Sequence, residues 1–279
     1  MEVVDLWRWP LLAVVLLPGL LVYLGLHIVE RGVIFVDLAL AQVAALGVAV
    51  AILMGSDPAH DRLPYLMSLL FTFIGAAIFA LTRFRHVRMP QEAIIGIVYI
   101  VSASAAVLVL SYTPSGDEDI KNLLVGNILL VTREQVLQTF ALFGVIAAVH
   151  GAFRRKFTQL SFDLEGAIAQ GMRTRLWDFL FYVTFGFAVT SFVQIAGVYL
   201  VFSYLIVPSV CGALLSPHIG WRLAIGWTVA FAAGVSGLLM STQWQSMDLP
   251  TGPTIVCLFG LSLALSGALA WGLGRRAAS

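Results

Sequence analysis

The sequence predicts an all-α polytopic membrane protein with about nine transmembrane helices, eight being the other reading of the same runs. Three observations lead there. Of 279 residues, 60% are hydrophobic and only 11% charged, far from the roughly half-apolar, quarter-charged mix of soluble domains, and mean hydropathy is +0.95. Apolar runs of spanning length recur along the chain, typified by Gly197-Val198-Tyr199-Leu200-Val201-Phe202-Ser203-Tyr204-Leu205-Ile206-Val207-Pro208. Finally, the charges gather in short segments between those runs.

Each run implies a helix, because hydrocarbon offers backbone groups no hydrogen-bond partner and about 20 helical residues cross it with every such group satisfied internally. The expected spans are 10–29, 34–54, 64–82, 91–112, 135–152, 177–195, 196–216, 221–241 and 252–273. Only Gln194 and Gly197 interrupt the sixth and seventh, which is why the count could fall to eight. The first span lacks the basic leader of a cleaved signal peptide and is preceded by Glu2 and Asp5. Cys211 and Cys257 lie in apolar spans without Cys-x-x-Cys spacing, so both are expected as buried small hydrophobes rather than thiolate ligands.

Basic residues cluster at Arg83-Phe84-Arg85-His86-Val87-Arg88, at Arg154-Arg155-Lys156, at Arg173 and Arg175, and at Arg275-Arg276, whereas acid clusters at Asp117-Glu118-Asp119. The positive-inside rule then places 31–33, 83–90, 153–176 and the C-terminus in the cytoplasm and the N-terminus outside, an assignment that all the basic loops obey. These runs are topology anchors, too short for nucleic-acid binding. Enzymatic chemistry has no visible residue set: the only lysines, Lys121 and Lys156, follow no glycine as a P-loop requires, and neither His-Glu-x-x-His nor Gly-x-Ser-x-Gly occurs.

Polar residues at membrane depth are costly and often mark a solute path. Asp37 and Glu92 read as the carboxylates nearest to apolar spans, although each also lies near a cytoplasmic end from which it could reach the interface. Gln42, deeper in its span, could line a pore or bond across a helix contact. His27 and Glu30 share a helix face, a spacing compatible with ligation, but an interfacial pairing with Arg31 is the plainer expectation. His60 reads as part of a solvated turn, and Gly25, Gly32, Gly47, Gly55, Gly75 and Gly96 as sites of close helix packing.

Several segments together resemble the permease subunit of bacterial ABC importers for zinc, manganese and iron. Glu92 with Gly96-Ile97-Val98-Tyr99, Val125-Gly126-Asn127-Ile128-Leu129-Leu130, Phe162-Asp163-Leu164-Glu165 with Ala167 and Gly171, Gly197 to Pro208, and Asp248-Leu249-Pro250-Thr251-Gly252-Pro253 follow that family's order. The resemblance implies the ABC importer permease architecture: a single transmembrane domain over 1–279, acting as a homodimer in the bacterial inner membrane. It further implies a cytoplasmic ATP-binding subunit that supplies ATP hydrolysis, an extracytoplasmic solute-binding protein, and a divalent metal as substrate rather than cofactor. Phe162, Asp163, Glu165, Ala167 and Gly171 fall in its ATPase-coupling element, and the 153–176 loop, with a helix-favouring Ala167-Ile168-Ala169-Gln170 core, suits such a dock.

One departure bears on selectivity. The family carries Phe-Gly-Asp-x-x-x-His in its second span, whereas this chain reads Phe35-Val36-Asp37-Leu38-Ala39-Leu40-Ala41-Gln42. Ungapped from Gly47, Leu38 and Gln42 fall at the Asp and His positions, and a one-residue slide restores Asp37 but substitutes Ala41 for the histidine. Asp37 and Gln42 diverge by roughly 140° around a helix, and an amide is a weaker metal ligand than imidazole. Asp37, Gln42 and Glu92 are the expected path residues, with Asp37 and Glu92 the candidate metal ligands. The alternatives are the same architecture carrying a metal chelate or other small solute, and an ATP-independent carrier.

Overall fold

The structure is a computed structural model and describes residues 2–57, 61–82, 91–113, 128–243 and 249–278. Among them are helices and no strand. In chain order these are α1 (Glu2–Arg31), α2 (Val36–Leu53), α3 (Leu63–Thr82), α4 (Gln91–Leu110), a 3-10 turn at Ile128–Leu130, α5 (Arg133–Ala152), α6 (Arg154–Phe162), α7 (Leu164–Ala169), α8 (Thr174–Leu215), α9 (Ile219–Gln243) and α10 (Thr251–Ala278). All except α6 and α7 are long and apolar enough to cross a membrane, which makes eight such helices among the described residues. The expected boundaries agree with them to within about five residues, except that α1 begins at Glu2 rather than at residue 10.

Helix α8 explains why the count was open. Its 42 residues would reach about 63 Å if straight, twice the hydrocarbon thickness. It is broken at Gly197, where φ is 75° and ψ is 163°. That backbone region is open to glycine and closed to residues with a Cβ. The spans expected at 177–195 and 196–216 are the two halves of α8, and each is long enough to cross.

Contacts sort the chain into two compact units, one built from residues 1–29, 125–141 and 195–279, the other from 30–124 and 142–194. In the first, a Cβ at Gly25 would overlap the Leu205 carbonyl, so α1 and the second half of α8 lie backbone to backbone. Ser209 Oγ sits 3.2 Å from the Val22 carbonyl and 2.8 Å from that of Leu205, satisfying its hydroxyl inside the pair. Tyr204 meets Phe259 of α10 edge to face at 4.9 Å, and α9 packs on α10 through Gly237 against Ile255. Pro10, Pro18 and Pro208 sit inside helices, as membrane helices permit where neighbours satisfy the freed carbonyls.

In the second unit α2 is the central helix and packs against both α3 and α4. Gly47 lets it approach α3 so closely that a Cβ would stand 2.5 Å from the Met67 carbonyl oxygen. Polar pairs join α3 to the first half of α8: Thr72 and Thr190 hydroxyls at 2.8 Å, and Tyr65 and Ser191 at 3.2 Å. Such bonds hold helices together where lipid supplies no hydrophobic drive.

Some expectations change. Gly25, Gly47 and Gly75 pack closely as foreseen, but Gly32 and Gly55 adopt φ of 66° and 89° and end helices, while a Cβ on Gly96 would meet nothing within 4 Å. Cys211 is buried whereas Cys257 is exposed on α10, on a face that apolar side chains leave to the surroundings. His60, Asp248 and the Val125-Gly126-Asn127 segment lie outside the described residues.

Candidate functional site

The first turn of α2 has no side-chain cap, since its N-cap residue is Phe35. Helix amides at this position lack intrahelical acceptors and favour negative charge. Asp37 stands there as the second helical residue. It is only 2% exposed, and neither carboxylate oxygen has a hydrogen-bond partner among the described residues. It does not escape to an interface, which the sequence left open. A buried carboxylate without a counter-charge is a costly arrangement.

Glu92 arrives from the start of α4. Its Oε1 accepts a hydrogen bond from the Ile34 amide at 2.8 Å, so this half-buried carboxylate fixes the segment that leads into α2. The structure thus brings Glu92 to within three residues of Asp37 along the chain. Gln42 lies further down α2 at 7% exposure, beyond Ala39, Leu40 and Ala41, and helix geometry turns it away from Asp37 by the angle expected above. Among the described residues no group of three or more His, Cys, Asp or Glu could hold a metal. The donors on α2 and at the start of α4 are the carboxylates Asp37 and Glu92 and the amides Gln42 and Gln91.

The second candidate element is the α6–α7 pair. Phe157, Leu160 and Ser161 form the buried face of α6 at i, i+3 and i+4. The opposite face, with Arg154, Arg155, Thr158, Gln159, Phe162 and Asp163, lines an open recess of roughly 390 Å³. Asp163 ends α6 and caps α7, its Oδ1 accepting from the Gly166 amide at 2.9 Å. Glu165 is exposed in the first turn of α7 and Ala167 is its buried residue. Gly171, at φ 71°, closes the element in the left-handed conformation, its amide bonding the Ile168 carbonyl and that of Met172 the Ala167 carbonyl. The helix expected around Ala167 is present, and Phe162, Asp163, Glu165, Ala167 and Gly171 belong to one folded element.

Sequence reading missed the polar cluster beneath α6. Arg31, which the sequence suggested as an interfacial partner of His27 and Glu30, places Nη1 3.0 Å from Asp178 Oδ1, with both side chains at most 2% exposed. Its Nε donates to Ser161 Oγ at 2.8 Å, and its guanidinium stacks 3.7 Å from the Phe181 ring centroid. Beside it His150 shares a 2.8 Å hydrogen bond with Thr184 and stacks on Phe157 at 4.2 Å. The missed signal was Asp178 itself, a carboxylate that stands second in the expected span 177–195 just as Glu92 stands second in 91–112.

A bundle of spanning helices with carboxylates buried among them, and a separate amphipathic helical pair, defines a multi-pass transport permease. The chain belongs to the ABC 3 transport family, whose profile matches residues 4–269. Among its relatives, the manganese transport system membrane protein MntC of Listeria monocytogenes is 25% identical over 201 residues, covering 68% of this chain and 71% of that one. The chelated iron transport system membrane protein YfeC of Yersinia pestis is 25% identical over 237 residues, covering 85% and 76%. The fold is similar to PsaBC from Streptococcus pneumoniae, solved in complex with Fab, with a TM-score of 0.77 and 21% identity across 94% of this chain and 90% of that one.

Proposed function

We propose that this chain is the permease subunit through which an ABC importer moves a divalent metal ion across the bacterial inner membrane. The observation that carries the reading is Asp37, a buried carboxylate on a central membrane helix with no hydrogen-bond partner among the described residues. A passing cation supplies the missing counter-charge, and Glu92 and Gln42 offer further oxygen donors along the same helix and at its approach. Relatives named for manganese and iron transport support the substrate class.

In this reading the chain hydrolyses no ATP. A cytoplasmic ATP-binding subunit seats against the recess of α6, where Arg154 and Arg155 meet Phe162 and Asp163. A second copy of this chain completes the path and an extracytoplasmic solute-binding protein delivers the cargo. The basic loops orient the N-terminus outward and the C-terminus to the cytoplasm. A second reading, a metal chelate or other small solute as cargo, is favoured by Gln42, since an oxygen amide at that depth suits a polar ligand as well as a bare ion. An ATP-independent carrier has no specific observation behind it.

The test is metal accumulation in vesicles that hold the permease with its ATP-binding subunit. Divalent metal should stimulate ATP hydrolysis and accumulate inside, and Asp37→Asn should stop accumulation while the complex still assembles. Stimulation by a chelate alone would shift the assignment to the second reading. Uptake without any co-purifying ATPase would shift it to the third.

A further inference from the structure

Three features converge on Arg31. It ends α1, it bonds Ser161 in the last turn of α6, and it pairs with Asp178 near the start of α8. Only Gly32 to Val36 separate it from Asp37. That connection is itself pinned: the Ile34 amide is held by Glu92 and the Val36 amide bonds the Val33 carbonyl at 3.2 Å. A short segment fixed at both ends transmits displacement rather than absorbing it.

We propose that Arg31 is a positioning residue that couples movement of α6 to the first turn of α2, and so to the Asp37 carboxylate. The inference rests on the reading of α6 as the seat of the ATP-binding subunit. Ser161 lies on the face of α6 opposite the recess, so a partner bound in the recess pushes the helix against Arg31. Phe157, one turn earlier on the same face, is gripped by His150, Trp177 and Phe181. This prevents α6 from rolling instead of moving as a body. The Phe181 ring covers one face of the guanidinium and leaves its edge to Asp178 and Ser161. A forked cation held this way resists sliding as an apolar contact would not, because displacement breaks directional bonds in a low-dielectric site. Burial of the pair is costly relative to an apolar core, which fits a part kept for geometry rather than stability.

The experiment uses the full complex with its ATP-binding subunit in lipid vesicles, reading ATP hydrolysis, metal uptake, and thiol labelling at Phe35→Cys in a Cys257→Ser background. Phe35 is 49% exposed and sits on the transmitting segment. Double substitution Arg31→Gln with Asp178→Asn removes both charges of the pair together. It should keep ATP hydrolysis within about twofold and lower metal uptake per ATP about tenfold, inside the range of ordinary coupling energies. It should also abolish the ATP-dependent change in labelling at residue 35. Arg31→Lys, which retains charge without the fork, should fall between. Unchanged uptake per ATP, or an intact labelling response, would overturn the proposal. If the double variant fails to assemble, Ser161→Ala decides: it leaves the ion pair intact and should still weaken the labelling response, and a wild-type response there overturns the inference. Failure of the docking reading shows separately, as no ATP-binding subunit co-purifying with the unsubstituted chain.

Discussion

Two aspartates in the same unit are buried to the same degree and live in opposite circumstances. Asp178, 1% exposed, has an arginine within 3.0 Å; Asp37, 2% exposed, has no hydrogen-bond partner for either oxygen among the described residues. The first is a completed interaction that fixes α8 to the end of α1. The second is incomplete among the described residues, and under the proposed function the missing partner is the passing cargo. Burial alone does not tell the two acids apart; the partner at Asp178 does.

Substitution should break the comparison most sharply at these two positions. Asp178→Asn takes the carboxylate of this ion pair away from a buried guanidinium, and breaking a buried pair typically costs about 3–5 kcal/mol, so thermal unfolding in detergent should drop strongly. Asp37→Asn removes an uncompensated charge instead. Its unfolding temperature should hold or rise while metal uptake falls to background, and a loss of stability equal to that of Asp178→Asn would erase the distinction.

Glu92 occupies middle ground because one of its oxygens is already engaged with Ile34. Glu92→Ala should abolish uptake with membrane insertion intact, whereas Glu92→Gln, which still accepts from the Ile34 amide, should retain part of it. Normal uptake by Glu92→Ala would remove this residue from the path. A smaller effect is expected at the break in α8: Gly197→Ala forces a side chain into a glycine-only conformation and should cost about 1–3 kcal/mol in the same unfolding assay. Smallest of all, Thr72→Val deletes the hydroxyl pair with Thr190 and should cost about 0.6 kcal/mol, the average for bonds between membrane helices.

Much of this was legible beforehand, for reasons particular to membranes. The spans follow from hydropathy because each must satisfy its backbone alone, whatever its neighbours are. The helix around Ala167 and the break at Gly197 also showed, since both depend on short-range backbone preferences. Asp37, Gln42 and Glu92 stood out as polar groups in apolar runs. Asp178 was equally visible by that criterion, and was passed over beside Trp177 and the basic residues before it.

The sequence by itself determined the class of the protein, its helices, and the shortlist of residues whose burial demands a reason. Only the tertiary structure decided which of those demands are met within the chain. Arg31 and Asp178 are 147 positions apart, and no periodicity or propensity encodes a contact across that distance. Whether a buried charge is neutralised depends on what other helices bring beside it. Packing supplies an arginine to Asp178 and, among the described residues, no hydrogen-bond partner to Asp37.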